Sequence, residues 1–406
     1  MIKLLLINDT DGRENIGCRL TSNSLKSALS QSFSSQGKQA CFVSAPWGFG
    51  HKNPPALFEQ PSDPRSTFSR ERLRRVALAE YGRQALDDLE LCDAIIFQPE
   101  GTISDRHLLA RVVRLFSLPL LAALYTEKPV VCYNGTFPLF TDDRFHFIRW
   151  ALSKFEYVAG RDRLTSEHYG FSYFPDEAFW WKPVAPAQRE SAKPKILLTT
   201  IAEAAPQKNR DLIEKMIDYC ERKQCIPVVL TKGAEVWGGY KREILSLGGT
   251  FSSFAELRDA ESIIMQCACH VGGRYHMAIF AASCGTPSQL VRSNTHKNIW
   301  LIEDVDGINA LPDDILGLDP EQFLTDYQSG LTQSVLRLRQ LQSEQRGMVT
   351  ETILEAVGLS KIPDVASLDE SVLQNIDFDI MRRTETSRNA PLVKRLARKI
   401  IGKIRP

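Results

Sequence analysis

Residues 270–287 read HVGGRYHMAIFAASCGTP. The run Cys269–Gly272 has the length of a buried strand, and Tyr275–Cys284 has the small, apolar composition of a buried helix. The strand ends in Gly272–Gly273, where the lack of a Cβ lets a ligand come close. A strand feeding directly into a helix is half of a βαβ unit, the building block of parallel sheets covered on both faces. The helix start leaves backbone N–H groups unpaired, which suits phosphate or carboxylate. Arg274 adds a planar fork able to hold either anion at two points, and His276 can carry a proton near neutral pH. The same residues also fit a plainer role, with Arg274 paired to a carboxylate and His276 capping a core helix.

The pattern continues outward in both directions. Toward the N-terminus it predicts strands over Ile2–Ile7, Gln39–Ser44, Ala94–Gln98, Pro129–Tyr133 and Tyr157–Gly160. Helices are expected over Leu20–Gln36, Arg70–Glu90, Leu108–Thr126 and Arg144–Lys154, with another starting at Leu164. Segment 45–70, rich in Pro, Ser and Arg, reads as a long loop. KPVAPAQRESAKPK, residues 182–195, has the composition of an interdomain linker. Beyond it come strands Ile196–Thr200, Pro227–Thr231, Gly249–Phe251 and Cys269–Gly272, alternating with helices, and a final strand Ser288–Val291 before a mostly helical C-terminal part. The expected organisation is a Rossmann-like lobe over 1–183, a linker over 184–194, a second such lobe over 195–325, a helical extension over 326–390 and a basic tail over 391–406. Two α/β lobes of this kind bring their strand-end loops around a central cleft, where open sheets bind ligands.

Composition narrows the class. At 406 residues the chain can bury two cores, and 43% hydrophobic with 24% charged residues is ordinary for a globular protein. A net charge of +1 makes no demand for nucleic acid, so no nucleic-acid partner is expected. The nine cysteines lie scattered in apolar runs without metal-ligand spacing, which points to reduced, buried thiols in a cytoplasmic protein and to no metal site. MIKLLLINDTDG has too short an apolar region for a signal peptide, and no run of roughly 18 apolar residues occurs elsewhere. The tail PLVKRLARKIIGKIRP, 391–406, carries six basic and no acidic residues, with Leu392, Leu396, Ile400 and Ile404 on one face. It reads as a basic amphipathic helix, which either lies on the anionic inner face of the cytoplasmic membrane or docks on the protein.

Further segments complete a pattern. GRDRLTSEHYG (160–170) places Arg161 and Asp162 before a helix, and FPDEAF (174–179) closes the N-terminal half. PEGTISD (99–105) and NDTDGRENIGCRLTS (8–22) are strand-end loops. With Arg274, His276, the Gly285–Pro287 ending and Lys297 of NTHKNIWL, these segments resemble, in order and spacing, the polysaccharide pyruvyltransferases. The resemblance touches most of residues 1–305. It implies a two-lobed fold similar to the GT-B glycosyltransferases and phosphoenolpyruvate as co-substrate, with no separate cofactor. It further implies a cyclic pyruvate ketal built on a sugar of a bacterial surface polysaccharide or its lipid-linked precursor. It implies that Arg161 and Arg274 grip the donor, beside Gly272, Gly273 and Lys297, and that His276 moves a proton. The chemistry asks for the same groups, since the donor carries two anionic groups and its methylene carbon must be protonated.

On the acceptor side the candidates are Asn8, Asn15, Glu100, His107 and Asn134, all polar residues near strand ends; each also fits a turn or cap. Glu100 and Asp105 are carboxylates able to hold or activate an acceptor hydroxyl. His168 and Trp180–Trp181 fit structural roles better than ligand contacts, and Lys232–Gly233 either adds a cation from the second lobe or is simply solvated. Two rivals share the architecture: a GT-B glycosyltransferase using a nucleotide sugar, and a non-catalytic partner that kept the fold. The first predicts a nucleotide-base pocket in the second lobe, whereas pyruvyl transfer predicts a smaller, arginine-rich one.

Overall fold

The computed structural model describes residues 1–13, 15–48, 68–184, 193–201, 206–230, 237–252, 256–291 and 296–358. Strands β1 (Ile2–Ile7), β2 (Ala40–Ala45), β3 (Ala94–Phe97), β4 (Val130–Gly135), β5 (Tyr157–Gly160) and β6 (Ser172–Tyr173) form one parallel sheet in the order β2-β1-β3-β4-β5-β6. Strands β7 (Lys195–Ile201), β8 (Ile226–Leu230), β9 (Thr250–Ser252), β10 (Cys269–Gly273), β11 (Ser288–Leu290) and β12 (Ile308–Ala310) form a second, in the order β12-β11-β10-β7-β8-β9. β3 is buried at every position because helices cover both faces of its sheet. The fold is α/β, with two Rossmann-like lobes, as the strand–helix alternation predicts.

Each sheet reverses its winding once, between β1 and β3 in the first and between β7 and β10 in the second. Ligand crevices open at the carboxyl ends of strands at such points. In this chain the two crevices face each other, because the first helix, α1 (Ile16–Ser35), packs on α10 (Tyr275–Ser283) of the other lobe.

Several elements differ from the sequence reading. The helix expected over Arg70–Glu90 is two, α2 (Arg70–Tyr81) and α3 (Arg83–Leu91), broken at Gly82, whose φ of 83° no helix accommodates. α1 starts at Ile16 rather than Leu20, because the Asn15 side chain caps it. Ser288–Val291 does not hold the last strand; β12 adds an edge of three residues, too short to show a period. The C-terminal helical part begins at Pro320 as one long helix, α12 (Pro320–Gly358). The rest of the expected extension, 359–390, and the basic tail, 391–406, lie outside the described residues, as do 49–67 of the expected loop and 185–192 of the linker.

α12 runs from one lobe to the other. Leu331, Val335 and Leu338 join the core of the second lobe, while Val349 and Ile353 join the core beneath the first sheet. Between them Gln342 donates to the Asp176 carbonyl (2.7 Å), and Arg346 makes a two-point contact with Glu177 (3.1 and 2.7 Å). Among the described residues no helix is long and apolar enough to cross a membrane.

Candidate active site between the lobes

Arg161 follows β5 at the carboxyl edge of the first sheet. The next residue, Asp162, caps α6 (Arg163–Tyr169), accepting from the Thr165 N–H (2.7 Å) and from the hydroxyls of Thr165 (2.9 Å) and Thr136 (2.8 Å). With its neighbour anchored in this way, the wholly buried Arg161 side chain is held under the cleft. Its Nε donates to Thr136 Oγ1 (2.9 Å) and its Nη1 to Asp176 Oδ2 (2.9 Å). The other end of the fork, Nη2, is buried and has no hydrogen-bond partner among the described residues.

The second lobe delivers a histidine to the same place. β10 ends at Gly273, and Arg274 caps α10, so that His276 projects from the first helical turn. Its Nε2 lies 2.9 Å from Arg161 Nη1 and 3.3 Å from Asp176 Oδ2. Asp176 also accepts from the Thr21 hydroxyl (3.1 Å) and the Ala178 N–H (2.9 Å). Burial alone would push the Asp176 carboxyl up, but the Arg161 guanidinium and the His276 ring hold it well below the usual carboxylate range. An anionic Asp176 thus compensates the buried arginine from below.

These groups border a cavity of about 830 Å³, shared between the lobes. Asn15, Glu100, His107 and Arg161 line it from the first lobe, and Arg274, His276 and Lys297 from the second. Lys297 opens α11 (Lys297–Asp304). Its ammonium and the Arg161 guanidinium flank the Tyr275 ring at 5.7 and 4.9 Å from the centroid. A Cβ on Gly101 would stand 3.1 Å from both Arg161 Nη2 and Lys297 Nζ, so any other residue in the turn after β3 would press the two cations back by a few tenths of an ångström. Gly17 is constrained in the same way, since a Cβ there would come within 2.5 Å of His276 Cβ. The N-terminal turns of α1 and α10 therefore abut, and both dipoles add positive potential to the cavity. Arg274 is steadied by the Thr200 hydroxyl (3.1 and 3.0 Å) across the second lobe's reversal point.

Not every residue singled out in the sequence reaches the cavity. Asn15 caps α1 by accepting from the Gly17 N–H (2.9 Å) while lining the wall. His107 lines it too, its Nδ1 accepting from the Ser104 N–H (3.1 Å). Asn8 and Asn134 do not. Both are fully buried at left-handed φ (62° and 63°), with side chains spent on internal bonds to Gln98 and its neighbours. Their amides are needed to join loops that strands alone leave unpaired. Gly272 and Gly273 also stay off the lining: a Cβ on Gly272 would lie 2.0 Å from Thr199 Oγ1, so it is the neighbouring strand, not a ligand, that comes close.

Asp105 is exposed, and its carbonyl accepts from Arg144. His168 bonds the Phe140 carbonyl (2.7 Å), and Trp181 donates to Glu261 (2.7 Å), so both are structural. Lys232 and Gly233 lie outside the described residues. Sequence reasoning passed over Arg13, Trp47 and Arg111, which line the cavity, and gave Asp176 no part in the site. Only the DGRENIG loop hinted at Arg13; nothing local marks an aspartate as the buried partner of a distant arginine.

None of the curated proteins matches the chain. Among solved structures it is similar to the S. aureus MnaA–UDP co-structure (13% identity, TM-score 0.49, covering 87% of this chain and 95% of that one). It is also similar to the UDP-GlcNAc 2-epimerase from Neisseria meningitidis bound to UDP-GlcNAc (9% identity, TM-score 0.49, covering 87% and 99%). A third is the lipopolysaccharide outer core galactosyltransferase WaaB in its apo form (10% identity, TM-score 0.48, covering 87% and 99%). The family model for polysaccharide pyruvyl transferase matches residues 21–293, more than half of the 406. With Arg161, Arg274 and His276 gathered in one cleft, that match says what the chain is: a transferase of the polysaccharide pyruvyl transferase family.

Proposed function

We propose that the protein transfers the enolpyruvyl group of phosphoenolpyruvate to a sugar of a bacterial surface polysaccharide or its lipid-linked precursor, forming a pyruvate ketal. The observation that carries this reading is the buried Arg161 fork, one end bonded to Asp176, the other without a partner among the described residues, with the His276 ring 2.9 Å from Nη1. A donor bearing a phosphate and a carboxylate needs several cations converging from more than one side. Arg161, Arg274 and Lys297 meet that need from two lobes, with two helix N-termini behind them.

In this reading the cations hold the donor and take up charge on the departing phosphate. His276 delivers a proton to the methylene carbon, and Asp176, 3.3 Å from its Nε2, orients the ring. One acceptor hydroxyl adds to the central carbon, phosphate leaves, and a second hydroxyl closes the ring. No separate cofactor is assigned. The basic tail 391–406 is proposed to hold the enzyme against the inner face of the membrane, where lipid-linked acceptors reside; deleting it should release the protein from membrane fractions.

The deciding experiment offers phosphoenolpyruvate or UDP-sugars to the purified protein. Phosphoenolpyruvate should raise the unfolding temperature, since a ligand of the native state stabilises it, and should yield phosphate when a saccharide acceptor is present. Stabilisation by UDP-sugars alone, without phosphate release, would sink the proposal in favour of glycosyl transfer.

A further inference from the structure

Three residues at the carboxyl edge of the first sheet adopt left-handed backbone: Asn8, Glu100 and Asn134. Asparagine tolerates that conformation, but a glutamate at φ 52° is strained, and strain of this kind persists where the surroundings enforce it. The enforced geometry puts Glu100, 3% exposed, at the β1–β3 reversal point and on the cavity wall. Its Oε1 accepts from the Thr10 hydroxyl (3.1 Å) and its Oε2 from the Cys18 thiol (3.6 Å). Neither donor satisfies it fully. The single Thr10 proton also faces the Cys18 carbonyl (2.9 Å), and a thiol donates weakly. Among the described residues no ion pair reaches Glu100.

The other nearby carboxylates are already engaged. Asp9 is paired with Lys26 (2.6 Å), Asp11 takes Lys26 (3.4 Å) and Asn23 (2.5 Å), and Asp176 holds Arg161 and His276. Among the described acids of the cavity, Glu100 alone keeps lone pairs to spare, one residue from the glycine that rests against Arg161 and Lys297.

We propose that Glu100 is the general base for the acceptor. This rests on the pyruvyl-transfer reading above. As His276 gives a proton to C3 of phosphoenolpyruvate, the acceptor oxygen bonds to C2 and its proton passes to Glu100. The bond from C2 to the phosphate oxygen then breaks, the second hydroxyl oxygen bonds to C2, and its proton leaves with the phosphate. Glu100 returns its proton through solvent and His276 regains one, so the cycle closes without any other reactant.

The test uses two variants of the full chain. Glu100→Gln should keep the thermal stabilisation by phosphoenolpyruvate yet lose about 100- to 10,000-fold in kcat, the span of general base catalysis. Glu100→Gly suits the left-handed backbone, so it should unfold at the same or a higher temperature than wild type while being as inactive, and added formate should restore part of its turnover. A purely structural Glu100 predicts the reverse: a lower unfolding temperature for Glu100→Gly and no rescue. That outcome, or near-wild-type turnover in Glu100→Gln, overturns the assignment of the base. Wild-type protein that releases no phosphate from phosphoenolpyruvate overturns the reading beneath it instead.

Discussion

A buried guanidinium survives only where anions and acceptors absorb it, and around Arg161 those are Asp176 and Thr136. Lysine keeps the charge but not the fork, so Arg161→Lys cannot serve Asp176, Thr136 and a donor at once. We expect it to fold and to lose about 10- to 150-fold in kcat/KM for phosphoenolpyruvate, the equivalent of one charged hydrogen bond of about 1.5–3 kcal/mol. Steady-state kinetics with varied donor checks this, and an unchanged value would remove Arg161 from the donor site. A second residue sets a pH dependence far from the cleft. Burial holds the His270 ring down at about 3, between the hydroxyls of Thr199 and Ser288. Its folded value is depressed, so the unfolded chain binds the extra proton. Its stabilising effect is complete above about pH 6.5 and fades on acidification toward 3. Urea unfolding at pH 7.5 and 5.0 should show wild type losing about 2 kcal/mol more than His270→Gln, at about 1.4 kcal/mol per pH unit below 6.5.

Helices and strands meet at two glycines with different consequences. Gly17 sits where the start of α1 touches His276, so Gly17→Ala must part the two helix ends that build the cavity. It should lower turnover at least about 10-fold along with about 1–3 kcal/mol of stability, as overpacking does. Gly272 lies on β10 where its register against β7 shifts, away from the cavity, and its new Cβ would meet backbone as well as side chain of Thr199. Gly272→Ala should therefore cost stability of the same order or more while leaving the donor KM of the folded fraction unchanged. Chemical denaturation read beside kinetics separates the two; a changed KM in Gly272→Ala would return that residue to the donor site. These contrasts follow from what each glycine faces, which the motif Gly-Gly-Arg-x-His does not disclose.

At the scale of the molecule, the lobes keep their register through α12 and through histidines that cross the cleft. His296 bonds Asp162 (2.9 Å) as His276 bonds Asp176, so each lobe depends on the other for a buried partner. Burial pushes the Glu177 carboxyl up even though Arg346 draws it down. Removing the arginine leaves that acid buried without a charged partner. Arg346→Met should cost about 3–5 kcal/mol, and adding Glu177→Gln should recover part of it. A double-mutant cycle by urea unfolding measures the coupling, and additive losses would show that α12 does not clamp the lobes at this point.

The residue pattern by itself determined that the chain is a pair of parallel α/β lobes, since apolar runs of strand length alternating with amphipathic stretches have few other ways to bury both faces. It also determined that arginines and a histidine stand at strand ends, because those positions are local in the chain. Only the tertiary structure decided which strand-end residues face the cleft. Asn8, Glu100 and Asn134 look alike in sequence and share a backbone conformation, yet Glu100 alone lines the cavity. It also made Asp176 the common partner of Arg161 and His276, a relation between two lobes. Side-chain direction and pairing depend on strand order and on how the lobes dock, and these are set by contacts between residues far apart in the chain.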